Sequence, residues 1–287
     1  MESSDTFDPV SYWSDLIVGS SAADVDEVGI SDMGRSFNRI AYSLRLHALN
    51  RICGQVDISP PNIKIFEAAF GVGYYLKYWR SRGCRDIVGV DLSPMAKENV
   101  QRQFPEFDLR LGNLAEMHHW PDWTKLTNSF DLVTAVDVLY HVIDEDATRQ
   151  AVDNLSKLVA PDGVFIFTEK FRRHSMPVRE TENVLRRPLE WYSAILEENG
   201  LVFERMLPVF WCMDPPVFSD GFDLSASLAR LLWVAMRLCL KFWPRNSTPQ
   251  IVLGLLVGTL GKIVDGLVVP RLEQTANLSI VAFRKKR

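Results

Sequence analysis

A glycine-rich turn and an acidic residue follow the first two β-rich runs of the chain. The first run ends in the sequence EAAFGVG, residues 67–73, and a helical pattern begins at Tyr74. Glycines at such a turn let a ligand approach the backbone, and a helix N-terminus presents free N–H groups to it. Asp91 ends the second run, where an acidic side chain can accept hydrogen bonds from both hydroxyls of a ribose. Together these features predict a site for a nucleoside-containing cofactor.

The residue at position 74 bears on the kind of cofactor. In the dinucleotide fingerprint G-x-G-x-x-G/A, the third position is small so that the helix packs closely against the strand. Aligned from Ala69, that position is Tyr74, whose ring disfavours NAD and FAD. A nicotinamide-dependent oxidoreductase is therefore the weaker alternative.

The turn resembles motif I of the class I S-adenosylmethionine-dependent methyltransferases of the small-molecule type, whose pattern is Asp/Glu-x-Gly-x-Gly-x-Gly. Glu67, Gly71 and Gly73 match this pattern, and Ala69 replaces the first glycine, which predicts a slightly wider turn. Further elements follow in the order of that family, GNL at 112–114 and a segment at 130–142 that is similar to its motif IV.

The resemblance implies S-adenosylmethionine as the cofactor and assigns residues to it. Asp91 is the implied ribose-binding acid, Leu92 lies beside the adenine, and Asn113 accepts a hydrogen bond from the adenine amino group. Without the resemblance, the glycines could simply make a tight turn, Asp91 could cap the next helix, and Asn113 could be a turn residue. The full implied cofactor set is Glu67, Ala69, Gly71, Gly73, Asp91, Leu92, Asn113, Leu114 and Val136.

Two polar residues follow the fourth β-rich run, at the edge where open α/β sheets bind ligands. His141 is the candidate general base for an acceptor hydroxyl, and Asp137 would orient its ring if the segment between them were helical. The alternative is that His141 caps or packs the loop. We expect methyl transfer to a small molecule, at oxygen rather than nitrogen or carbon. A methyltransferase-like binding subunit without an acceptor site is the non-enzymatic alternative.

A cationic segment follows the fifth β-rich run. Arg172, Arg173 and His174 are candidate ligands of an acidic or phosphorylated acceptor, and a solvated loop is the alternative. No metal site is predicted, because the adjacent side chains of His118 and His119 diverge.

The composition limits the class of partner. The chain has 287 residues, of which 47% are hydrophobic, and a net charge of -4, so bulk electrostatics predict no nucleic-acid binding. Its four cysteines are widely separated, and its acidic N-terminus carries no signal-peptide pattern. These features predict a reduced, cytoplasmic protein.

Strand and helix patterns alternate along the middle of the chain, which predicts an α/β fold. We expect a Rossmann-like, doubly wound sheet of seven strands with an antiparallel last strand. The predicted units are a leader and lid helix (1–60), a cofactor-binding core (61–210), a helical insert (211–277), and a final strand with a basic tail (278–287). The acidic residues before Arg35 are predicted to be a solvated leader.

The lid interpretation depends on one polar helix face, and a helix simply packed beside the sheet is the alternative. The residues of that face are Arg35, Asn38, Tyr42 and Arg45.

The insert contains two apolar stretches. In the first, Arg230, Arg237 and Lys241 share one helix face, as in an interfacial helix. In the second, Lys262 and Asp265 interrupt the apolar run before it reaches the roughly 20 residues of a membrane span, so no transmembrane helix is predicted. We expect helices that line the acceptor pocket or form a homodimer, with peripheral membrane contact through 224–270 as the alternative.

Overall fold

Nine strands and nine helices form in the part of the chain that the computed structural model describes, namely residues 8–17, 25–26, 28–171, 178–217 and 223–287. The strands are β1 (Ile65–Ala68), β2 (Ile87–Asp91), β3 (Asp108–Leu111), β4 (Phe130–Ala135), β5 (Val159–Glu169), β6 (Val178–Thr181), β7 (Val184–Arg186), β8 (Leu201–Pro208) and β9 (Ser279–Lys285). The helices are α1 (Pro9–Ile17), α2 (Gly34–Gln55), α3 (Tyr74–Ser81), α4 (Pro94–Gln101), α5 (Trp123–Leu126), α6 (Glu145–Leu158), α7 (Leu189–Glu198), α8 (Leu224–Leu240) and α9 (Thr248–Val268).

Seven of these strands make one sheet, in the order β3-β2-β1-β4-β5-β9-β8. Strands β1 to β5 are parallel to one another, whereas β9 runs antiparallel to its two neighbours β5 and β8. The predicted doubly wound sheet with an antiparallel last strand is therefore confirmed. The hairpin of β6 and β7 pairs separately and was not predicted.

The central strands are buried on both faces because helices cover both sides of the sheet. On one side Trp79 of α3 and Phe37 of α2 pack in a core that also includes Ile65 and Leu132. On the other side, Phe66 of β1 packs in a second core with residues of β4, β5, α6 and α7. This two-sided burial explains why these strands are continuous apolar runs in the sequence.

The order of the sheet reverses direction at β1, which lies between β2 and β4. In open α/β sheets, ligands bind outside the carboxyl ends of the strands at such a switch point. The turn after β1 and the residues that end β2 and β4 therefore meet at one edge.

The sequence predicted a solvated leader before Arg35, but part of this segment is folded against the core. Residues 9–17 form α1, whose first turn is capped by Asp8: its carboxylate accepts hydrogen bonds from the Val10 N–H at 3.0 Å and the Ser11 hydroxyl at 2.6 Å. The Ser14 hydroxyl lies 3.0 Å from that of Ser93, at the start of α4, so α1 packs over the edge of the sheet where β2 ends.

The insert before β9 forms the two long helices α8 and α9. Helix α9 contacts α2 and α8. Within the described residues, one helix, spanning Thr248–Arg271, is long and apolar enough to cross a membrane by length and composition, with a mean hydropathy of 2.0 and 22% of its most apolar window buried. The sequence analysis predicted that Lys262 and Asp265 would interrupt the apolar run, but the apolar helix continues past both residues.

Candidate active site

A cavity of about 480 Å³ opens at the carboxyl ends of β1, β2 and β4. The turn after β1 and the residues that end β2 form one side, and the loop after β4 forms another. Pro9 and Trp13 of α1, together with Tyr42 and Arg45 of α2, complete the wall. The site is thus built at the switch point of the sheet and covered by the N-terminal helices.

The turn after β1 uses its small residues in different ways. Ala69 and Gly71 line the cavity, both with left-handed backbone, at φ +53° and +51°. A Cβ built on Gly71 meets no atom within 4 Å, so the space beside this backbone is open to a ligand. Gly73 does not line the cavity, and a Cβ there would lie 3.0 Å from Val100 Cγ1. Gly73 therefore allows α3 to pack against α4, and its contact with the cofactor stays a prediction.

Asp91 joins the ends of two strands at the cavity. One carboxylate oxygen accepts a hydrogen bond from the Gly71 N–H at 2.7 Å, and the other accepts one from the Ser93 N–H at 2.8 Å. Ser93, not Asp91, caps α4, since its hydroxyl accepts from the Ala96 N–H. Each carboxylate oxygen keeps lone pairs for further donors. Burial raises the pKa of Asp91 to about 6.

Glu67 does not line the cavity, and its predicted role as a cofactor residue stays a prediction. Its side chain is buried, and one carboxylate oxygen accepts hydrogen bonds from the Thr134 hydroxyl at 2.6 Å and the Trp79 indole at 3.1 Å. Glu67 thereby ties β1 to β4 and α3. Burial raises the pKa of this carboxyl to about 7.

The apolar side of the cavity lies beyond Asp91. Leu92, Leu114 and Val136 line it, as predicted. Asn113 also lines it, but its side-chain oxygen accepts a hydrogen bond from the Ala115 N–H at 3.0 Å and caps a short 3₁₀ turn. Asn113 is thus a turn residue that also lines the cavity. Its contact with adenine stays a prediction.

The loop after β4 places Asp137 and His141 in the cavity wall, but it does not pair them. Asp137 forms an ion pair with Arg45 at 2.7 Å and accepts hydrogen bonds from the Tyr140 and Thr168 hydroxyls. His141 instead donates from Nδ1 to the carbonyl oxygen of Asn183, at 2.8 Å. The predicted orientation of His141 by Asp137 is therefore wrong.

The reason is the local backbone. Asp137 has left-handed backbone at φ +56°, and only residues 139–141 form a single 3₁₀ turn, so the i, i+4 geometry of an α-helix does not arise. Burial lowers the pKa of His141 to about 4.

Aromatic residues of α1, α2 and α3 form much of the wall, and Trp13 and Tyr75 were not predicted to do so. Trp13 packs edge-on against His141, with 4.7 Å between the ring centroids, and Tyr74 packs against Tyr42 at 5.2 Å. The Tyr75 hydroxyl is buried and finds no hydrogen-bond partner among the described residues. A donor of this kind at the wall of a cavity fits a polar ligand. The aromatic pair Tyr12-Trp13 within an acidic stretch was the available sequence signal for α1.

Two further predictions concern the edges of the site. Tyr42 and Arg45 of the proposed lid face do line the cavity, whereas Asn38 holds the preceding loop through Ile30. The predicted acceptor ligands Arg172, Arg173 and His174 lie outside the described residues. Within the described ranges, no group of three or more His, Cys, Asp or Glu side chains could hold a metal ion.

The sheet order, the glycine turn and the acid at the end of β2 form a site that fits a nucleoside cofactor. Residues 66–167 match the family model described as a methyltransferase domain. This part of the chain is therefore similar to a methyltransferase domain. The open backbone at Gly71 and the carboxylate of Asp91 fit S-adenosylmethionine as the cofactor.

Known relatives agree with this assignment. A protein of Mycolicibacterium smegmatis (strain ATCC 700084 / mc(2)155), described as a "probable S-adenosylmethionine-dependent methyltransferase", is 30% identical over 150 residues, 51% of this chain and 54% of the relative. The chain thus spans about half the length of the curated relative it matches. The solved structure assigned as a sarcosine dimethylglycine methyltransferase from Galdieria sulphuraria is 15% identical, with a TM-score of 0.50 over 86% of each chain, and shares the fold.

Proposed function

We propose that this protein transfers the methyl group of S-adenosylmethionine to an oxygen atom of a small-molecule acceptor, with His141 as the general base. The observation that carries the proposal is that one cavity is lined by the Gly71 turn, the Asp91 carboxylate and the His141 imidazole. Asp91 on the proposed cofactor side and His141 therefore line the same cavity.

The shape of the cavity supports a small acceptor. Its volume of about 480 Å³ is in the range of small-molecule sites. Trp13 and Tyr42, from the two N-terminal helices, cover it, and a polymer would have to displace them. The net charge of -4 also disfavours a nucleic-acid acceptor.

The state of His141 supports transfer to oxygen. Because the Asn183 carbonyl only accepts, Nδ1 of His141 carries the proton and Nε2 is the unprotonated nitrogen, an assignment made from this hydrogen bond. A neutral imidazole can take the proton of an acceptor hydroxyl. The bound cofactor supplies an electrophilic methyl group, and the chain supplies alignment, exclusion of water and this base.

The polar part of the cavity wall, formed by Arg45, Asp137 and Tyr140, supports the positioning of an acceptor. The buried ion pair of Arg45 and Asp137 fixes α2 to the loop after β4, and the Tyr140 hydroxyl also donates to Asp137. In this proposal Asp137 is a positioning residue, because it holds Arg45 and Tyr140 in place. The predicted role of 172–174 in binding an acidic acceptor stays part of this proposal.

Two measurements test the function. Stabilisation against heat by S-adenosylhomocysteine, but not by NAD, is the expected result, and stabilisation by NAD alone contradicts the proposed cofactor. Transfer of labelled methyl groups into a metabolite extract distinguishes an enzyme from a binding subunit, and identification of the labelled product gives the methylated atom. A product methylated at nitrogen or carbon contradicts the role of His141.

A further inference from the structure

The two helices before the last strand leave a broad apolar surface exposed. Of the 17 large hydrophobic residues that are exposed in the described chain, 14 lie between Leu224 and Leu267. We call the outward residues of α8, α9 and the connection between them the hairpin face. Its most exposed members are Leu224, Leu231, Phe242, Leu255, Leu260 and Leu267, with Phe242 75% exposed and Leu260 64% exposed.

The opposite side of α9 is fixed to the core by glycines. Gly254 and Gly258 lie against α2, and a Cβ on Gly258 would be 2.8 Å from Ile40 Cδ1. Asp265, on the same side, is buried, and its carboxylate accepts hydrogen bonds from the Trp211 and Cys212 N–H groups at 3.2 and 2.9 Å. The fully buried residues of α9 are therefore small or polar. Leu253 and Val257 pack at the edge of the core, and Leu256 and Leu260 point away from it.

Helix α8 also exposes large apolar residues. Ala226, Trp233 and Leu240 are buried, whereas Leu224 and Leu231 on the other side are exposed. A helix on the surface of a soluble protein normally turns its polar residues to water and its apolar residues to the core. Both helices of the hairpin turn large apolar residues to water, so the hairpin face is suited to an apolar environment.

The charges of the hairpin differ in sign from those of the whole protein. Residues 224–271 contain six Lys or Arg and one Asp, a net charge of +5, whereas the chain carries -4. Two of these cations, Arg237 and Arg245, pair with Asp32 and Asp26 outside the segment. The one acid, Asp265, is buried. Lys241 and Lys262 are exposed, and Phe242 and Trp243 stand at the connection between the helices. Exposed cations, interfacial aromatics and an apolar face together match a membrane that contains anionic lipid.

We infer that the hairpin face binds the surface of an anionic lipid bilayer, with α8 and α9 lying in the plane of the interface. The packing of Gly254 and Gly258 on α2 keeps α9 attached to the globular core, although its 21 residues would be roughly 31 Å long, enough to cross a bilayer. The inference does not depend on the proposed reaction.

A second copy of the chain is a poorer occupant. A two-fold dimer through this face would bring the same patch of both subunits together. Such an interface would contain Lys241 and Lys262 of both subunits, with no exposed acid in residues 224–271 to pair with them. An anionic lipid surface offers the complementary charge instead.

Sedimentation of the full chain with large unilamellar vesicles tests the inference. We expect binding to vesicles of phosphatidylcholine with phosphatidylserine, and weaker binding to phosphatidylcholine alone. The double variant Leu256→Glu/Leu260→Glu should weaken partitioning at least about 100-fold, since it removes two apolar side chains from the bilayer contact. Lys241→Gln and Lys262→Gln should each weaken binding to the anionic vesicles about five-fold.

The matched control is Phe203→Glu, which places the same charge on an exposed apolar residue of β8, away from the hairpin. It should bind vesicles as the unaltered chain does, and circular dichroism should show that all variants fold. Three results would overturn the inference: no binding to either vesicle, unchanged binding of the double glutamate variant, or a concentration-dependent dimer without vesicle binding that this variant abolishes in sedimentation velocity.

Discussion

The carboxylate of Asp91 accepts a hydrogen bond from the backbone N–H of Gly71 at 2.7 Å, and this bond connects the end of β2 to the turn after β1. The second carboxylate oxygen is bonded to the Ser93 N–H. Asp91 therefore positions the glycine turn and also lines the cavity, where we propose that it binds the ribose of the cofactor. A change at Asp91 should affect both the stability of the fold and the affinity for the cofactor.

The first prediction is that Asp91→Asn weakens binding of S-adenosylhomocysteine by about 10- to 100-fold. The amide would present N–H donors where two backbone N–H groups already donate, so at least one buried donor loses its acceptor, at a cost of about 1–3 kcal/mol in unfolding free energy. Calorimetric titration and denaturant unfolding measure the two effects. Asp86→Asn, at an exposed position before the same strand, is the control and should change neither. Unaltered affinity of Asp91→Asn would contradict the ribose role.

The second prediction concerns the pH dependence of cofactor affinity. With a pKa of about 6, Asp91 is protonated in acid and ionised above neutrality. The ionised carboxylate is the stronger acceptor for ribose hydroxyls, so affinity should rise as the pH increases through about 6 and then level off. Calorimetric titrations on both sides of this pH test it, and Asp91→Asn should lose the dependence. Equal affinities below and above the pKa would contradict this prediction.

The third prediction concerns stability and Glu67. Its pKa is raised to about 7 in the folded protein, from 4.5, so the folded state holds this proton where the unfolded chain has lost it. The stability that this proton contributes is fully present below the unfolded pKa and is lost as the pH rises through about 7. The full change is roughly 3 kcal/mol, from about 1.4 kcal/mol for each unit of pKa difference.

Glu67→Gln tests this relationship, because the amide does not titrate but can still accept from Thr134 and Trp79. Urea unfolding in acid and in mild base should show a smaller loss of stability across the range for Glu67→Gln than for the unaltered chain. Glu197→Gln, at an exposed helical position, should keep the original dependence. The same slope in Glu67→Gln as in the unaltered chain would be the contradicting result.

The sequence predicted the sheet well because parallel strands that are buried on both faces are apolar runs. β1, β2 and β4 are of this kind, and the glycine turn and Asp91 mark their carboxyl ends. The direction of a side chain was harder to predict. Glu67 lies in the matching motif position, yet its partner Thr134 is 67 residues away in the chain, and only the pairing of β1 with β4 brings the two together.

The covering elements were also hard to predict, since their effect depends on tertiary contacts. Trp13 reaches His141 only because α1 packs over α4, and Asp137 meets Arg45 only because α2 crosses the site. The sequence spacing of Asp137 and His141 suggested a helical pair, but the positive φ of Asp137 sets a different path. Local patterns therefore predicted the glycine turn and the acid that line the cavity, whereas long-range packing determined the contacts of Asp137 and His141.

The fourth prediction is that Ala69→Gly stabilises the protein. Ala69 has a left-handed backbone, φ +53°, which costs a residue with a Cβ about 1–2 kcal/mol. Glycine removes this cost but adds entropy to the unfolded chain, so the expected net gain is about 0.5–1 kcal/mol in unfolding free energy. The control Ala147→Gly, in the first turn of α6, should destabilise instead. A loss of stability in Ala69→Gly would contradict the argument from strain.

The fifth prediction concerns the base. His141→Ala should lower turnover by about 100-fold or more, the usual contribution of a general base, while affinity for S-adenosylhomocysteine stays unchanged. Because burial lowers the pKa of His141 to about 4, the imidazole is already neutral in mild acid, and turnover should not rise through the ordinary histidine range near 6.5. His119→Ala, at an exposed position, is the matched control and should leave turnover intact. Full activity of His141→Ala would show that the acceptor needs no base at this position.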